Sequence, residues 1–121
     1  MGELHQAWGW VVVAIAGLSG LTLLVAHWRK LQPGRLHWTI VTVAIAALLL
    51  QVLLGLGAMN FENTNPGNQH VFYGVVISFT LAFAYIYRAQ FRKKPGLYYG
   101  VLLLFLMGLA IRGILTFGGN F

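Results

Sequence analysis

The chain has 121 residues, of which 59% are hydrophobic and 8% are charged. Soluble domains carry about 25% charged residues, so this composition excludes an ordinary soluble protein and predicts a single integral membrane domain over residues 1–121. Nucleic-acid binding is not indicated by the formal net charge of +6, because seven of the eight basic residues lie in two short connectors.

Four apolar stretches are each long enough for a helix that crosses a bilayer, which needs about 20 such residues. They predict spans over residues 7–26, 38–59, 70–87 and 97–117. Trp8, Trp10 and Trp28 lie at the ends of the first span, at the level where tryptophan meets the headgroups. The third span follows Asn68, a residue type that is favoured as a helix N-cap.

The basic residues predict the orientation of the spans. Seven of the eight lie in residues 29–35 and 88–94, whereas the connector 60–69 has no Lys or Arg. Positive connectors stay in the cytoplasm, which predicts an all-α, up-down-up-down bundle of four helices in the cell (inner) membrane. Both termini are then on the non-cytoplasmic side, and spans one and three are parallel and diagonal.

The two halves of the chain share three features, which predict a two-helix internal repeat. A His, two intervening residues, an aromatic residue and Gly occur at residues 5–9 and again at 70–74. Pro-Gly precedes the second span at 33–34 and the fourth at 95–96, and Asn-Phe follows these spans at 60–61 and 120–121.

His5 and His70 are the candidate metal ligands. Each begins a span from the outer side, and each has a glycine four residues later, Gly9 or Gly74, on the same helical face. Small residues at this spacing also serve plain helix packing. Two facing imidazoles above bare backbone nevertheless suit a flat cofactor, so we expect one haem b with two axial histidines near the outer face.

Two further polar residues lie within the spans. Gln51 interrupts the second span, and Arg112 lies near the outer end of the fourth at about the same position in the repeat. Arg112 is predicted to pair with a haem propionate or to reach the nearer interface, and Gln51 to hydrogen-bond within the bundle or to a quinone. His27 and His37 adjoin the basic connector and are interpreted as interfacial residues rather than as a second haem site.

Acidic residues are limited to Glu3 and Glu62, and the chain has no Asp or Cys. Neither a phosphate-binding loop nor a nucleophile elbow occurs, which excludes hydrolysis, phosphoryl transfer and thiolate sites. The remaining classes are redox chemistry carried by a cofactor, and binding.

The order of these residues resembles one four-helix half of haem A synthase, or more broadly a small four-helix b-type cytochrome. The resemblance covers about residues 5–85 and includes the run Ala-Leu-Leu-Leu-Gln-Val-Leu-Leu-Gly that ends at Gly55. It implies that His5 and His70 are axial ligands and that Gln51 and Gly55 form the intervening motif. The family usually has Arg where this chain has Gln6, and its catalytic acid stands one position earlier than Glu3.

The sequence therefore predicts a membrane cytochrome that binds haem b for electron transfer, alone, as a homo-oligomer or within a respiratory or photosynthetic complex. Whether the protein is itself an enzyme stays open. The alternative is a structural or accessory subunit without haem, in contact with chlorophyll-type pigments or quinone.

Overall fold

The computed structural model describes residues 2–61 and 65–119, and the side chains of all of these except residues 2 and 61. Regular structure within these ranges is helical throughout. The helices are α1 (Gly2–Trp28), α2 (Arg35–Phe61), α3 (Asn68–Ile86), α4 (Arg88–Phe91) and α5 (Pro95–Leu115). Among the described residues, four helices, α1, α2, α3 and α5, are long and apolar enough to cross a membrane, as expected of an all-α, multi-pass membrane protein.

The first two helices extend beyond the predicted spans. Each has 27 residues, which corresponds to about 40 Å at 1.5 Å per residue, whereas the hydrocarbon core is about 30 Å thick. Leu4, Gln6 and Ala7 are good helix formers, so the helix continues past the apolar stretch. Consequently, His5 lies inside α1 rather than ahead of it.

Gly67 is the N-cap of α3, and the prediction of Asn68 in that role is wrong. Asn68 is the first helical residue, and Gly67 adopts a φ of 84°, a value that disfavours residues with a side chain. The side-chain Oδ1 of Asn65 accepts a hydrogen bond from the Gly67 backbone N–H at 3.1 Å and closes the turn before the helix. A Cβ at Gly67 would also collide with the Gly119 carbonyl, so glycine is required here.

Hydrogen bonds tie the start of α3 to the segment that follows α5. The Gly118 N–H donates to the Pro66 carbonyl at 2.6 Å, and the Gln69 N–H donates to the Gly119 carbonyl at 3.1 Å. These bonds fix the height of the first turn of α3 relative to the end of α5. Residues 62–64 and the predicted Asn-Phe tail at 120–121 lie outside the described residues.

The backbones of α1 and α5 nearly touch. A Cβ at Gly20 would lie 3.0 Å from the Gly100 carbonyl oxygen, and a Cβ at Gly100 would lie 3.1 Å from the Gly20 carbonyl oxygen. One turn earlier in α5, a Cβ at Gly96 would lie 2.9 Å from the Leu23 carbonyl oxygen. The pair Gly96 and Gly100 is a small-xxx-small pattern, which lets helices approach closely in a membrane. We call this contact the glycine seam.

The opposite side of the bundle is open. α2 packs on α1, where the Trp8 indole donates to the Ala47 carbonyl at 3.1 Å, and α3 packs on α5, but α2 and α3 touch at few points. This arrangement places α1 and α3 at opposite corners. The largest fully buried side chains all belong to α1, α2 and α5; they are Val12, Leu23, Leu48, Leu103 and Leu106. α3 is therefore the most loosely held of the four long helices.

Candidate functional site

The two predicted ligand residues meet across the bundle. The Nε2 atoms of His5 and His70 lie 3.4 Å apart, and the imidazole centroids lie 5.7 Å apart with the ring planes at 88°. The centroid separation exceeds the nitrogen separation by about two ring radii, so the two Nε2 atoms point directly at each other. Helices α1 and α3 thus bring together residues that are 65 positions apart in the chain.

Each ring is oriented by a backbone carbonyl. His5 Nδ1 lies 3.1 Å from the Gln51 carbonyl oxygen, and His70 Nδ1 lies 2.7 Å from the Gly113 carbonyl oxygen. Because a carbonyl oxygen only accepts, both Nδ1 atoms carry the proton. In the neutral rings both Nε2 atoms then present a lone pair, and the two lone pairs face each other. Neutral imidazole nitrogens of this kind are common metal ligands.

Gln51 and Gly55 shape the surroundings of His5. The Gln51 side-chain Nε2 donates to the His5 backbone carbonyl at 3.0 Å, so Gln51 holds His5 through both its backbone and its side chain. A Cβ at Gly55 would lie 2.9 Å from His5 Cε1, which means that only glycine leaves room for the ring. Gln51 Oε1 is buried and has no hydrogen-bond partner among the described residues.

The surroundings of His70 include two residues that the sequence pattern did not indicate, Gly113 and Phe117. The Phe117 ring packs edge-on to His70, with the centroids 5.1 Å apart. Gly113 follows Gln51, and Phe117 follows Gly55, by 62 positions, the same interval that separates Pro33 from Pro95. By this interval Gly113, next to Arg112, corresponds to Gln51. The two histidines are 65 positions apart, so the repeat stays a prediction.

The two predicted glycines differ in their packing. A Cβ at Gly9 would meet Gln51 Nε2 at 3.4 Å and the Ile114 side chain at 3.5 Å, whereas nothing lies within 4 Å of a Cβ at Gly74. The difference follows from the packing of the helices, because α1 is pressed against α5 while α3 stands away from α2. Gly74 is therefore the glycine that offers bare backbone to a ligand.

Two cavities flank the histidine pair. The larger, of about 400 Å³, lies between α2 and α3 and has an almost wholly apolar wall; we call it the α2–α3 cavity. The smaller, of about 260 Å³, lies on the side of α1 and α5. Six residues line both cavities; they are His5, Gly9, Gln51, His70, Ile114 and Phe117. The histidine pair thus lies between two empty spaces. A flat ligand held between the two rings could extend into both.

Arg112 lies apart from the histidine pair. Its side chain is exposed, its Nε donates to the Tyr73 hydroxyl at 3.4 Å, and its guanidinium lies 5.8 Å from the centroid of the Tyr73 ring. Tyr73 lines the α2–α3 cavity, and Arg112 does not. The pairing of Arg112 with a propionate stays a prediction.

The other two histidines lie far from the site. His37 precedes Gln51 by 14 positions on α2, which corresponds to about 21 Å along the helix. Both of its ring nitrogens are buried without a hydrogen-bond partner in the described part of the chain, and its ring packs against Trp38 at 5.2 Å. His27 is exposed at the end of α1 beside Gly96.

Throughout residues 2–61 and 65–119, no group of three or more His, Cys, Asp or Glu side chains is placed to hold a metal ion. The site offers two imidazoles, which is too few for a bare structural ion. A metal that brings its own equatorial ligands needs no more than two from the protein.

Comparison of the chain with models of protein families, with curated proteins and with solved structures found no match. Function is therefore inferred from the geometry and chemistry of the site.

Proposed function

We propose that the protein is a membrane b-type cytochrome in which His5 and His70 ligate the iron of one haem b. The observation that carries the proposal is the pair of Nε2 atoms that face each other at 3.4 Å while both Nδ1 atoms are bound to backbone carbonyls. A histidine that ligates a metal usually donates its other N–H to a carbonyl or carboxylate, which fixes the tautomer and orients the ring. Both halves of the site have this form.

The distances in the site are compatible with a shared metal. A metal and an imidazole nitrogen lie about 2 Å apart, so two opposed ligands of one metal stand about 4 Å apart. The observed separation of 3.4 Å is about half an ångström short of this. A metal between the rings therefore requires that they separate by about this amount, against the hydrogen bonds that tie the start of α3 to α5 and to the segment after α5.

The residues around the pair fit a flat apolar group. Glycine at position 55 leaves space beside the His5 ring, and Gly74 has open space where a side chain would stand. Gly74 and Gly9 both belong to the wall of the α2–α3 cavity. When bound, a haem supplies one-electron redox chemistry; the residues of this chain supply the axial nitrogens and an apolar surrounding that excludes water.

We propose that the resemblance to half of haem A synthase extends to the ligand positions. Gln51 and Gly55, the motif between the two histidines, both contact His5. With Gln6 and Glu3 departing from the family pattern, we propose haem binding for electron transfer and not synthase activity.

We further propose the orientation that the charges favour. The chain crosses the cell (inner) membrane up-down-up-down with both termini outside, because Arg29, Lys30 and Arg35 lie in one connector and four more basic residues lie around α4 in another. The histidine pair is then near the non-cytoplasmic face. Its electron-transfer partners are a larger membrane complex, a second copy of the chain or a quinone.

The direct contact between the two imidazoles favours a second candidate function. A proton bridging the two Nε2 atoms would let the pair join α1 to α3 in a structural or accessory subunit without haem. Such a subunit would show no haem absorbance. A chlorophyll-type pigment, which takes one axial His, would leave the second ring unused.

A reduced-minus-oxidised absorption spectrum of the protein purified from its membrane tests the proposal. We expect a b-type band that is lost in His5→Ala and in His70→Ala, because each variant removes one axial nitrogen. His27→Ala is the control and should keep the band, since His27 is exposed and distant from the site. A wild-type protein that stays without haem when haem is supplied in excess would contradict the proposal and favour the structural subunit.

A further inference from the structure

The last turn of α1 lies against the first turn of α5. A Cβ at Gly96 would lie 2.8 Å from the Cβ of His27, so the two connectors that carry the basic residues meet at this point. Two exposed cations follow α1 directly and two precede α5 directly; they are Arg29, Lys30, Lys93 and Lys94. The contact between the helices gathers these four side chains at one corner of the bundle, and we call them the basic corner.

The acidic residues of the chain are remote from the basic corner. There are two of them, Glu3 and Glu62. Glu3 belongs to the first turn of α1, 25 residues before Trp28 at its other end, which corresponds to about 38 Å along the helix. Glu62 comes directly after α2 in the chain, and the basic connector comes before α2. Anions that offset the charge of the corner therefore come from outside the chain.

Lys30 occupies a backbone position that favours glycine. α1 ends in a Schellman motif, in which the Leu31 N–H donates to the Ala26 carbonyl at 2.9 Å and the Lys30 N–H donates to the His27 carbonyl at 3.0 Å. Lys30 has a φ of 58°, the one positive value among the described residues other than glycine. Glycine would adopt this conformation without strain, so the presence of lysine points to a use for its ammonium group.

Large apolar side chains are interleaved with the cations of the corner. Trp28 is 81% exposed and Leu31 is 62% exposed, and Tyr98 is exposed in the first turns of α5. Tryptophan and tyrosine favour the level of the headgroups, and cations next to apolar side chains suit the boundary between headgroups and acyl chains. A soluble acidic protein offers no apolar layer for these side chains, whereas a phospholipid supplies an anion and acyl chains together.

We infer that the basic corner binds the headgroup of an anionic phospholipid, with Trp28 and Leu31 against the upper part of its acyl chains. Phosphate oxygens accept charge-assisted hydrogen bonds from lysine and arginine, and the four cations come from two connectors that one lipid can bridge. In the proposed orientation this lipid belongs to the cytoplasmic leaflet. Binding at the corner uses neither the histidine pair nor the cavities beside it, so it does not depend on the haem.

Native mass spectrometry of the full chain in detergent micelles, titrated with lipid, tests the inference. The probes are phosphatidylglycerol and phosphatidylcholine with the same acyl chains, which differ in headgroup and net charge. We expect the first phosphatidylglycerol to bind about tenfold more tightly than the first phosphatidylcholine. In Arg29→Gln and in Lys94→Gln this preference should fall about fivefold, because each variant removes one cation from the headgroup. Equal binding of the two lipids to the wild-type protein would overturn the inference.

Arg88→Gln is the matched control. It removes one positive charge from an exposed position of the same connector as Lys94. The Arg88 guanidinium is already engaged, since its Nη1 donates to the Tyr85 carbonyl at 2.9 Å and the group lies 4.3 Å from the centroid of the Tyr85 ring. The preference for phosphatidylglycerol should therefore stay about tenfold. An equal loss in Arg88→Gln and Lys94→Gln would show a diffuse effect of total charge and overturn the corner as a site.

Lys30→Gly separates lipid binding from a structural role. Glycine relieves the strained backbone at the end of α1, so this variant should resist denaturing detergent better than the wild-type protein. Its preference for phosphatidylglycerol should nevertheless fall about fivefold, because the ammonium group is lost. An undiminished preference, or a loss of stability together with the preference, would overturn the role assigned to Lys30.

Discussion

At the scale of single residues, the site depends on how two carbonyl oxygens and one amide side chain fix two imidazoles. The carbonyls of Gln51 and Gly113 determine the tautomer of each ring, and the Gln51 side chain holds the backbone of His5. The two carbonyl acceptors belong to the backbone, so no side-chain substitution removes them. The residues whose substitution moves a ring are those that pack against it, Gly55 and Phe117.

Gly55→Val is predicted to displace the His5 ring. A Cβ at this position would lie 2.9 Å from His5 Cε1, closer than atoms can approach, and the ring cannot turn away without losing its bond to the Gln51 carbonyl. We expect haem retention to fall at least tenfold, close to the effect of His5→Ala, as measured by the haem-to-protein absorbance ratio. Ala46→Val is the control, since it creates the same valine side chain at an exposed position of the same helix. An unchanged ratio in Gly55→Val would argue against His5 as a ligand.

At the scale of helices, the two halves of the chain use the same local contacts but pack differently. Each half places a carbonyl of its second helix at the Nδ1 of its own histidine. The glycine seam between α1 and α5 has no equivalent between α2 and α3, which touch at few points. The seam closes one side of the bundle, and the gap on the other side becomes the cavity. If α2 and α3 also met in a contact like the glycine seam, both sides of the bundle would be closed and no space would remain for a ligand.

Gly100→Val is predicted to destabilise the bundle. The new side chain would meet the Gly20 carbonyl, 3.1 Å from its Cβ, and Leu24, so α1 and α5 must separate. Overpacking of this kind costs about 1–3 kcal/mol, to be measured by unfolding the protein in mixed micelles with increasing denaturing detergent. Gly108→Val lies on the same helix with nothing within 4 Å of its Cβ and should cost much less. Equal loss of stability in both variants would show that helix propensity, rather than the seam, is responsible.

At the scale of the whole molecule, charge and hydrophobic length together predict how the chain lies in the membrane. The four long helices can each span the hydrocarbon, and the short helix α4 lies in a basic connector. The proposed orientation puts the histidine pair close to the outer surface and the glycine seam toward the cytoplasmic ends of α1 and α5. In the proposed function, electrons would therefore be exchanged near the non-cytoplasmic side, either with a partner at that surface or with one within the bilayer.

Cysteine labelling in intact cells checks this orientation. The chain contains no cysteine, so single substitutions give an unambiguous signal. A membrane-impermeant thiol reagent should label Asn60→Cys, which is exposed at the end of α2, and should label Gln32→Cys and Gln90→Cys only after the cells are opened. The reverse pattern would place the histidine pair on the cytoplasmic side and contradict the proposed topology.

The sequence by itself determined the features that depend on local chemistry. Continuous apolar length predicts a span wherever it occurs, so all four crossing helices were predicted to within a few residues. His5 and His70 were placed at one depth because each opens a span from the same side, and the structure brings them to 3.4 Å. Gln51 and Gly55 were singled out by the family resemblance as the motif between the two histidines, and in the structure both contact His5. The cap of α3 was missed by one position because the choice between Gly67 and Asn68 depends on a contact with Gly119, far along the chain.

Only the tertiary structure decided which faces of the helices meet. Every long helix here is apolar nearly all round, so the pattern of hydrophobic residues does not tell a buried face from a lipid-facing one. The rotation of each helix is set by close contacts such as Gly20 against Gly100, and these contacts also determine that Gly113 and Phe117 reach His70 and that the opening lies between α2 and α3. In a bilayer the apolar surface gains little from leaving lipid, so shape at the contacts, which composition does not encode, selects the arrangement.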